Sequence, residues 1–227
     1  MRKILTIDGP SGVGKGTVAF RLAKEYGWQY LDSGALYRLA VLQLQDKELL
    51  EADIEQQITA IANMAIQFIT QDEGISTFLN GKNVDKQLRT EITGKQASLL
   101  AAKPEIRATL LTLQREFAKN SPLIADGRDM GSVVFPEASL KIFLDADSKV
   151  RAQRRYKQLK AKGENVNLAT LEKEIAERDE RDRNRKTAPL IPASDAVVID
   201  TTELSVDEVL QQIKNLFVAH FFNLNGS

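Results

Sequence analysis

The 227-residue chain contains no cysteine and a single histidine, His220, a few residues from its C-terminus. It also lacks net charge, because 31 Lys and Arg balance 31 Asp and Glu. Each shortage closes a class of chemistry. Without Cys there is no disulfide framework, no Cys-ligated zinc and no thiol nucleophile. A Ser-His-Asp triad or a His-rich metal cluster would have to be built around one terminal His. Zero net charge argues against a protein that holds nucleic acid mainly through its overall field. No stretch reaches the roughly 18 apolar residues of a membrane span. The opening Met1-Arg-Lys-Ile-Leu-Thr-Ile-Asp8 starts basic and apolar, but Asp8 stops it short of the roughly 7–15 apolar residues of a signal peptide. The cytoplasm is therefore the expected compartment. Carboxylates, hydroxyls, Lys, Arg and backbone amides are left to do the chemistry.

What is present is a full complement of core-forming residues. At 43% apolar content the chain can bury one domain, or one domain with insertions. Five short apolar runs, at 3–7, 29–31, 123–125, 140–144 and 196–199, are rich in β-branched residues or end at an Asp, as buried parallel strands do. Between them the apolar spacing is helical. Val18, Ala19, Leu22, Ala23 and Tyr26 form one face, with Gly27 placed as a C-cap. A C-terminal helix is expected from about Ser205. Strands alternating with helices predict a doubly wound α/β fold, whose ligands sit beyond the carboxyl ends of the strands. Those ends read Asp8-Gly9, Asp32-Ser33, Asp126-Gly127 and Asp145.

Two stretches break the rhythm. Residues 64–85 read as an antiparallel meander, with strands at 65–70, 75–79 and 82–84 and turns at Asp72-Glu73-Gly74 and Asn80-Gly81. Helices are expected on either side, at about 51–63 and 94–119. The second stretch, about 150–187, is dominated by charge.

Gly9-Pro10-Ser11-Gly12-Val13-Gly14-Lys15-Gly16-Thr17 follows the first strand and opens the first helix. Glycines let successive backbone N–H groups curl around a phosphate, and the helix N-terminus adds its positive end. Lys15 adds a charge that can follow a phosphoryl group in transfer. The pattern G-x-x-x-x-G-K-[ST] is met through Lys15, but Gly16 displaces the hydroxyl to Thr17. GTPases and most ATPases place that hydroxyl directly after the Lys, whereas nucleoside monophosphate kinases commonly show Gly-Lys-Gly-Thr. No Asn-Lys-x-Asp or Thr-Lys-x-Asp motif of a GTPase occurs either.

A kinase needs an acceptor, and three further clusters suit one. Leu31-Asp-Ser33-Gly-Ala-Leu-Tyr-Arg38 leaves the second strand. It reads either as an anion site at a helix start or as a Ser33 N-cap followed by a surface arginine. Asp126-Gly127-Arg128-Asp129-Met130-Gly131 follows the third strand. Asp126 stands where a carboxylate could hold water on Mg²⁺, or could cap the next turn. Arg128 and Asp129 are a structural ion pair or a substrate-reading pair. In Glu177-Arg-Asp-Glu-Arg-Asp-Arg-Asn-Arg185, helical spacing puts Arg178, Arg181, Asp182 and Arg185 on one face. The same run also supplies i,i+4 pairs Glu174–Arg178, Glu177–Arg181 and Asp179–Arg183, as on a solvated helix.

With these motifs, and with Lys141-Ile-Phe-Leu-Asp145, the sequence resembles the bacterial cytidylate kinase family in motif order and spacing. The match is weakest at the termini and through 46–90. The resemblance implies a five-stranded parallel core at 1–34, 120–150 and 188–227, and a monophosphate-binding segment at 35–119 with an antiparallel insertion at about 64–90. It also implies a short helical lid at about 151–187. It implies ATP as donor, CMP or dCMP as acceptor, Mg²⁺ with the ATP, and a monomer that needs neither nucleic acid nor membrane. By position, Ser33, Arg38, Arg128 and Arg185 match contacts to the CMP phosphate and sugar, and Arg178 and Asp182 match ribose contacts. Ser98, Arg107 and Asp129 match contacts to the cytosine. Arg154 resembles a lid arginine near the ATP phosphates.

Overall fold

The computed structural model describes residues 3–71, 74–119, 121–161 and 163–222. The Asp72 and Glu73 positions of the expected turn lie outside these residues. All five apolar runs become strands of one sheet: β1 (Ile4–Asp8), β2 (Gln29–Asp32), β6 (Leu123–Gly127), β7 (Leu140–Asp145) and β8 (Val197–Asp200). Their order is β2-β6-β1-β7-β8, with β1 parallel to β6 and β7, and β7 parallel to β8. Strand β1 is therefore central, and every residue of β1 and β6 is buried. The chain leaves β1 toward one side of the sheet and later crosses over it to build the other. That reversal creates a switch point at the carboxyl end of β1, where an α/β sheet binds its ligand.

The chain divides into two units, residues 1–31 with 117–227, and residues 32–116. The first holds the five-stranded sheet, α1 (Lys15–Tyr26), α7 (Ser148–Ala161), α8 (Leu168–Arg183) and α9 (Val206–Phe221). Its core joins Leu5 and Ile7 to Val18 and Leu22 of α1 and to Val209, Ile213 and Phe217 of α9. Gly27 ends α1 in the left-handed conformation at φ 67°, as its C-cap position requires, and donates to the Ala23 carbonyl. A capping box between Ser205 and Glu208 starts α9. No described helix is long and apolar enough to cross a membrane.

An aromatic cluster fastens α9 to the end of α1. Phe217, fully buried, lies 4.5 Å from Tyr26 and 4.8 Å from Trp28, centroid to centroid, and Phe221 lies 4.8 Å from Trp28. Removing so large a buried ring costs about 3–5 kcal/mol. Phe217→Ala should lower the unfolding midpoint accordingly. Trp28, the only tryptophan, reports it directly by fluorescence in a denaturant titration.

The second unit begins with α2 (Ser33–Asp46) and α3 (Ile54–Ala62). The antiparallel sheet β3 (Ile66–Gln71), β4 (Gly74–Leu79) and β5 (Lys82–Asn83) follows, with Asn80 and Gly81 at positive φ in the β4–β5 turn. The single helix expected at 94–119 is instead two, α5 (Glu91–Leu100) and α6 (Pro104–Glu116), after a short α4 (Asp85–Leu88). Pro104 explains the break. It has no N–H to continue α5, it disfavours helical backbone at Lys103, and it suits the first position of a new helix.

Candidate active site

The loop after β1 is shaped by three glycines at positive φ, namely Gly9 (143°), Gly12 (84°) and Gly14 (91°). At Gly9 the requirement is also steric, because a Cβ would lie 2.0 Å from the Leu144 carbonyl oxygen of β7. Gly14 is the N-cap of α1 and offers no side chain to the helix amides. The first N–H groups of α1 thus lack a side-chain acceptor, the usual provision for a phosphate. Lys15 folds back over the loop and donates to the Pro10 carbonyl at 2.7 Å. Thr17 is exposed on the first turn.

Lys15 is itself buried. Burial first, then the nearby Arg128 guanidinium, push its pKa down to about 7, with Arg178 adding to the push and Asp126 and Asp8 opposing it. Asp8 moves the other way, to about 6. Burial dominates, Asp129 adds to it, and main-chain bonds from Gly131 and Met130 and the Lys15 charge oppose it. Asp126 is buried at the end of β6, where its Oδ1 accepts from the Tyr30 hydroxyl at 2.9 Å. Its Oδ2 lies 3.6 Å from where a Cβ of Gly16 would be. Residue 16 therefore lies beside this carboxylate and the Tyr30 hydroxyl, at ordinary contact distance.

Helix α8 supplies the other wall of this unit's site. Asp182 accepts from Arg128 Nε at 2.9 Å and lies 3.9 Å from a guanidinium nitrogen of Arg185. Burial works to raise the Asp182 pKa, yet Arg128, Arg178 and Arg185 outweigh it and hold it below the usual carboxylate range. Three guanidiniums thus surround one carboxylate, with Lys15 close to two of them. Lys15 is thus set against the like charges of Arg128 and Arg178, with Asp126 and Asp8 on the other side of the balance. The repulsion among these cations eases when an anion enters.

Three expectations are corrected at the level of contacts, and a fourth residue, Arg154, is given its resting partners. The cap of α2 is Asp32, whose side chain accepts from Ala35 N–H at 2.9 Å, and not Ser33, which is the buried first residue of the helix. Asp179 does not pair with Arg183. It is buried and takes a two-pronged bond from Arg151. Arg185 lies past the end of α8, which closes at Arg183, so its place is not set by helical spacing. Arg154 donates to Thr201, Thr202 and Leu204 carbonyls, so its guanidinium is held by the loop after β8.

The arginine that reaches the phosphate loop is Arg151, which the sequence did not single out. It is 2% exposed and donates to the Ser11 carbonyl at 3.0 Å and to the Ala146 carbonyl at 3.0 Å. Its signal was helical periodicity. On α7 it shares the buried face with Ala152 and Leu159, an unusual place for a cation that has no partner. Beside it opens a cleft of about 840 Å³ lined by residues that include Asp145, Arg151, Asp179, Arg183, Asp200 and Thr202.

The remaining candidates belong to the second unit. Arg38 donates to the Leu88 and Thr90 carbonyls at 2.7 and 3.0 Å. Arg107 lies 5.7 Å over the Tyr37 ring. Ser98 is buried, and its hydroxyl has no hydrogen-bond partner among the described residues.

A glycine-shaped phosphate loop at the switch point of a parallel sheet, with arginines gathered beside it, defines a P-loop phosphotransferase of the kinase type. Comparison with known proteins narrows the class. The cytidylate kinase family model matches residues 5–219. A cytidylate kinase of Dichelobacter nodosus (strain VCS1703A) is 63% identical over 223 residues, spanning 98% of this chain and 100% of that protein. A cytidylate kinase of Serratia proteamaculans (strain 568) is 50% identical over 209 residues, spanning 92% and 91%. The chain therefore belongs to the cytidylate kinase family. In fold it is also similar to an uncharacterized protein from Eubacterium ventriosum, at a TM-score of 0.51, 15% identity and coverage of 96% and 99%.

Proposed function

We propose that the protein transfers the γ-phosphoryl group of ATP to CMP or dCMP, giving ADP and CDP or dCDP. The observation that carries this reading is the cation cluster of buried Lys15 and half-buried Arg128, Arg178 and Arg185 beside an uncapped phosphate loop. Two phosphorylated substrates brought end to end would relieve its repulsion, most of all where charge spreads over the transferring group. The acceptor phosphate is already an anion, so no general base is needed, and the absence of Cys and scarcity of His cost nothing. Catalysis then consists of alignment and charge stabilisation.

In this reading Gly9 to Thr17 hold the ATP phosphates, and the cleft beside Arg151 takes the remainder of the donor. Arg154 could approach those phosphates only by leaving the 201–204 carbonyls. Ser33, Arg38, Arg128 and Arg185 bind the CMP phosphate and sugar, Arg178 and Asp182 the ribose, and Ser98, Arg107 and Asp129 the cytosine. The orphaned buried hydroxyl of Ser98 supports its part, since a ligand's polar edge would satisfy it. Residues 35–119 serve as the monophosphate-binding segment and 151–187 as the lid. The active unit in this reading is the monomer.

No group of three or more His, Asp or Glu side chains that could hold a metal is found among the described residues. The hydroxyl of Thr17 and the carboxylate of Asp126 are nevertheless hard oxygen donors beside the loop, which suits Mg²⁺ arriving on ATP with most of its ligands from phosphate and water. Bound there, Mg²⁺ would neutralise phosphate charge. Tyr30 fixes the orientation of Asp126 by its hydrogen bond.

A coupled assay with ATP across CMP, dCMP, UMP, AMP and GMP tests the proposal. CMP and dCMP should be turned over far faster than the others, and a preference for any other acceptor would overturn it.

The lowered pKa of Lys15 adds a second test. With its pKa pushed down to about 7, this lysine should be largely neutral in the free protein at pH 8, and nucleotide phosphates should pull it back to the charged form. Binding must then take up about one proton, so ATP affinity should fall by up to about tenfold per pH unit above 7. Calorimetric titrations at pH 8 in Tris and in HEPES, whose ionisation enthalpies differ, measure that proton. The uptake should vanish in Lys15→Met.

A further inference from the structure

One buried carboxylate takes no direct part in the chemistry above. Asp8 closes β1, one residue before the phosphate loop, and is only 6% exposed. Both its oxygens are engaged from across the sheet. Met130 N–H donates to Oδ1 and Gly131 N–H to Oδ2, each at 2.8 Å. Those amides open a short π-helix, Met130–Val134, whose first N–H groups have no intrahelical acceptor.

The ordinary source of such acceptors is the N-cap residue, and an Asp there normally turns its carboxylate onto the helix amides. The N-cap here is an Asp, Asp129, yet its side chain makes no capping bond. Acceptors arrive instead from a residue 122 and 123 positions away in sequence.

The turn is also pressed closely against β1. A Cβ on Gly131 would lie 2.7 Å from Thr6 Oγ1, and one on Gly127 would lie 2.8 Å from the Met130 side chain. With no room for a longer bridge, the short Asp side chain fits, and its two equivalent acceptors match two adjacent donors. An Asn would offer one acceptor and one donor, and would set N–H against N–H.

We infer that Asp8 is a positioning residue for acceptor recognition: it supplies the helix cap in place of Asp129, and so holds Arg128 and Asp129 in the arrangement that reads the CMP phosphate and base. The inference rests on the reading of Asp129 as the cytosine acceptor. Asp8 itself touches neither substrate. Its effect reaches them through the Gly127–Gly131 turn.

The experiment measures CMP, UMP and ATP binding to the full chain by calorimetry, in the parent and in Asp8→Asn, Asp8→Glu and Asp129→Ala. Circular dichroism and melting curves verify folding. Asp8→Asn should weaken CMP binding by roughly tenfold or more. It should also shift the CMP:UMP affinity ratio toward that of Asp129→Ala, and lose less affinity for ATP than for CMP. Asp8→Glu keeps the charge and both acceptors but adds a methylene for which the turn has no room, so it too should shift the ratio toward that of Asp129→Ala.

A folded Asp8 variant with the parental CMP:UMP ratio overturns the proposal, however much stability it has lost. An unchanged ratio in Asp129→Ala would overturn the reading of Asp129 instead, and the two failures are thereby told apart. If neither Asp8 variant folds, amide hydrogen exchange decides. Protection of the Met130 and Gly131 amides that survives in Asp129→Ala supports a cap from Asp8, and its loss there overturns it.

Discussion

Lys15→Met should cut turnover by on the order of 10²–10³-fold or more while leaving a folded protein. The lysine is the one mobile cation of the phosphate loop, and its Nζ rests on the Pro10 carbonyl. Methionine matches its length and apolar stem but cannot follow charge as it moves from the donor to the acceptor. The stability half of the prediction is as informative as the rate half. Burial and two arginines already press Lys15 toward its neutral form, so the native fold gains little from its charge. A buried cation held near other cations is a cost borne for function. The melting temperature of Lys15→Met at pH 7 should therefore equal or exceed that of the parent. Turnover within about tenfold of the parent would mean that the loop does not hold the transferring phosphate. Unfolding would mean that the lysine is structural.

Asp129→Ala should lower activity toward CMP by roughly tenfold to a hundredfold or more, and toward UMP far less. Cytosine presents an amino donor at N4, where uracil presents a carbonyl acceptor. A carboxylate accepts, so in the proposed reading Asp129 would welcome the first and repel the second. Arg107 only donates, and in the same reading would suit the N3 and O2 acceptors of cytosine. Asp129 is 3% exposed, so water cannot easily make good a mismatch. Alanine removes both the attraction and the repulsion, and the CMP:UMP ratio of kcat/KM should collapse from both sides. Equal losses on the two substrates would show that Asp129 does not read the base.

Much of this protein was determined by its sequence alone. The five strands, their alternation with helices and the phosphate loop at the carboxyl end of the first are all local matters. Buried parallel strands need continuous apolar runs, and a loop that wraps phosphate needs glycine at positions such as Gly9, Gly12 and Gly14. The Asn80-Gly81 turn was equally legible, because only a few residues accept its backbone. Proline 104 carried the break between α5 and α6, and a reading by apolar spacing alone passed over it.

Only the tertiary structure decided which partner each charged side chain found. Spacing offered Asp179 to Arg183 four residues on, but burial of Arg151 drew it away, because a guanidinium removed from water must be matched by a carboxylate. From sequence, Arg154 and Arg151 were two members of one run, and their separation on a helix sent one to the 201–204 loop and the other to the phosphate loop. Asp8 looked like the end of a strand and proved to hold a turn more than a hundred residues away. The opening charge balance is the plainest case. A sum over the chain is zero, yet the fold gathers Arg128, Arg178 and Arg185 around Asp182 and sets Lys15 between two of those arginines and the carboxylates Asp126 and Asp8. Composition counts charges, and electrostatic energy depends on the distances between them, which only folding sets.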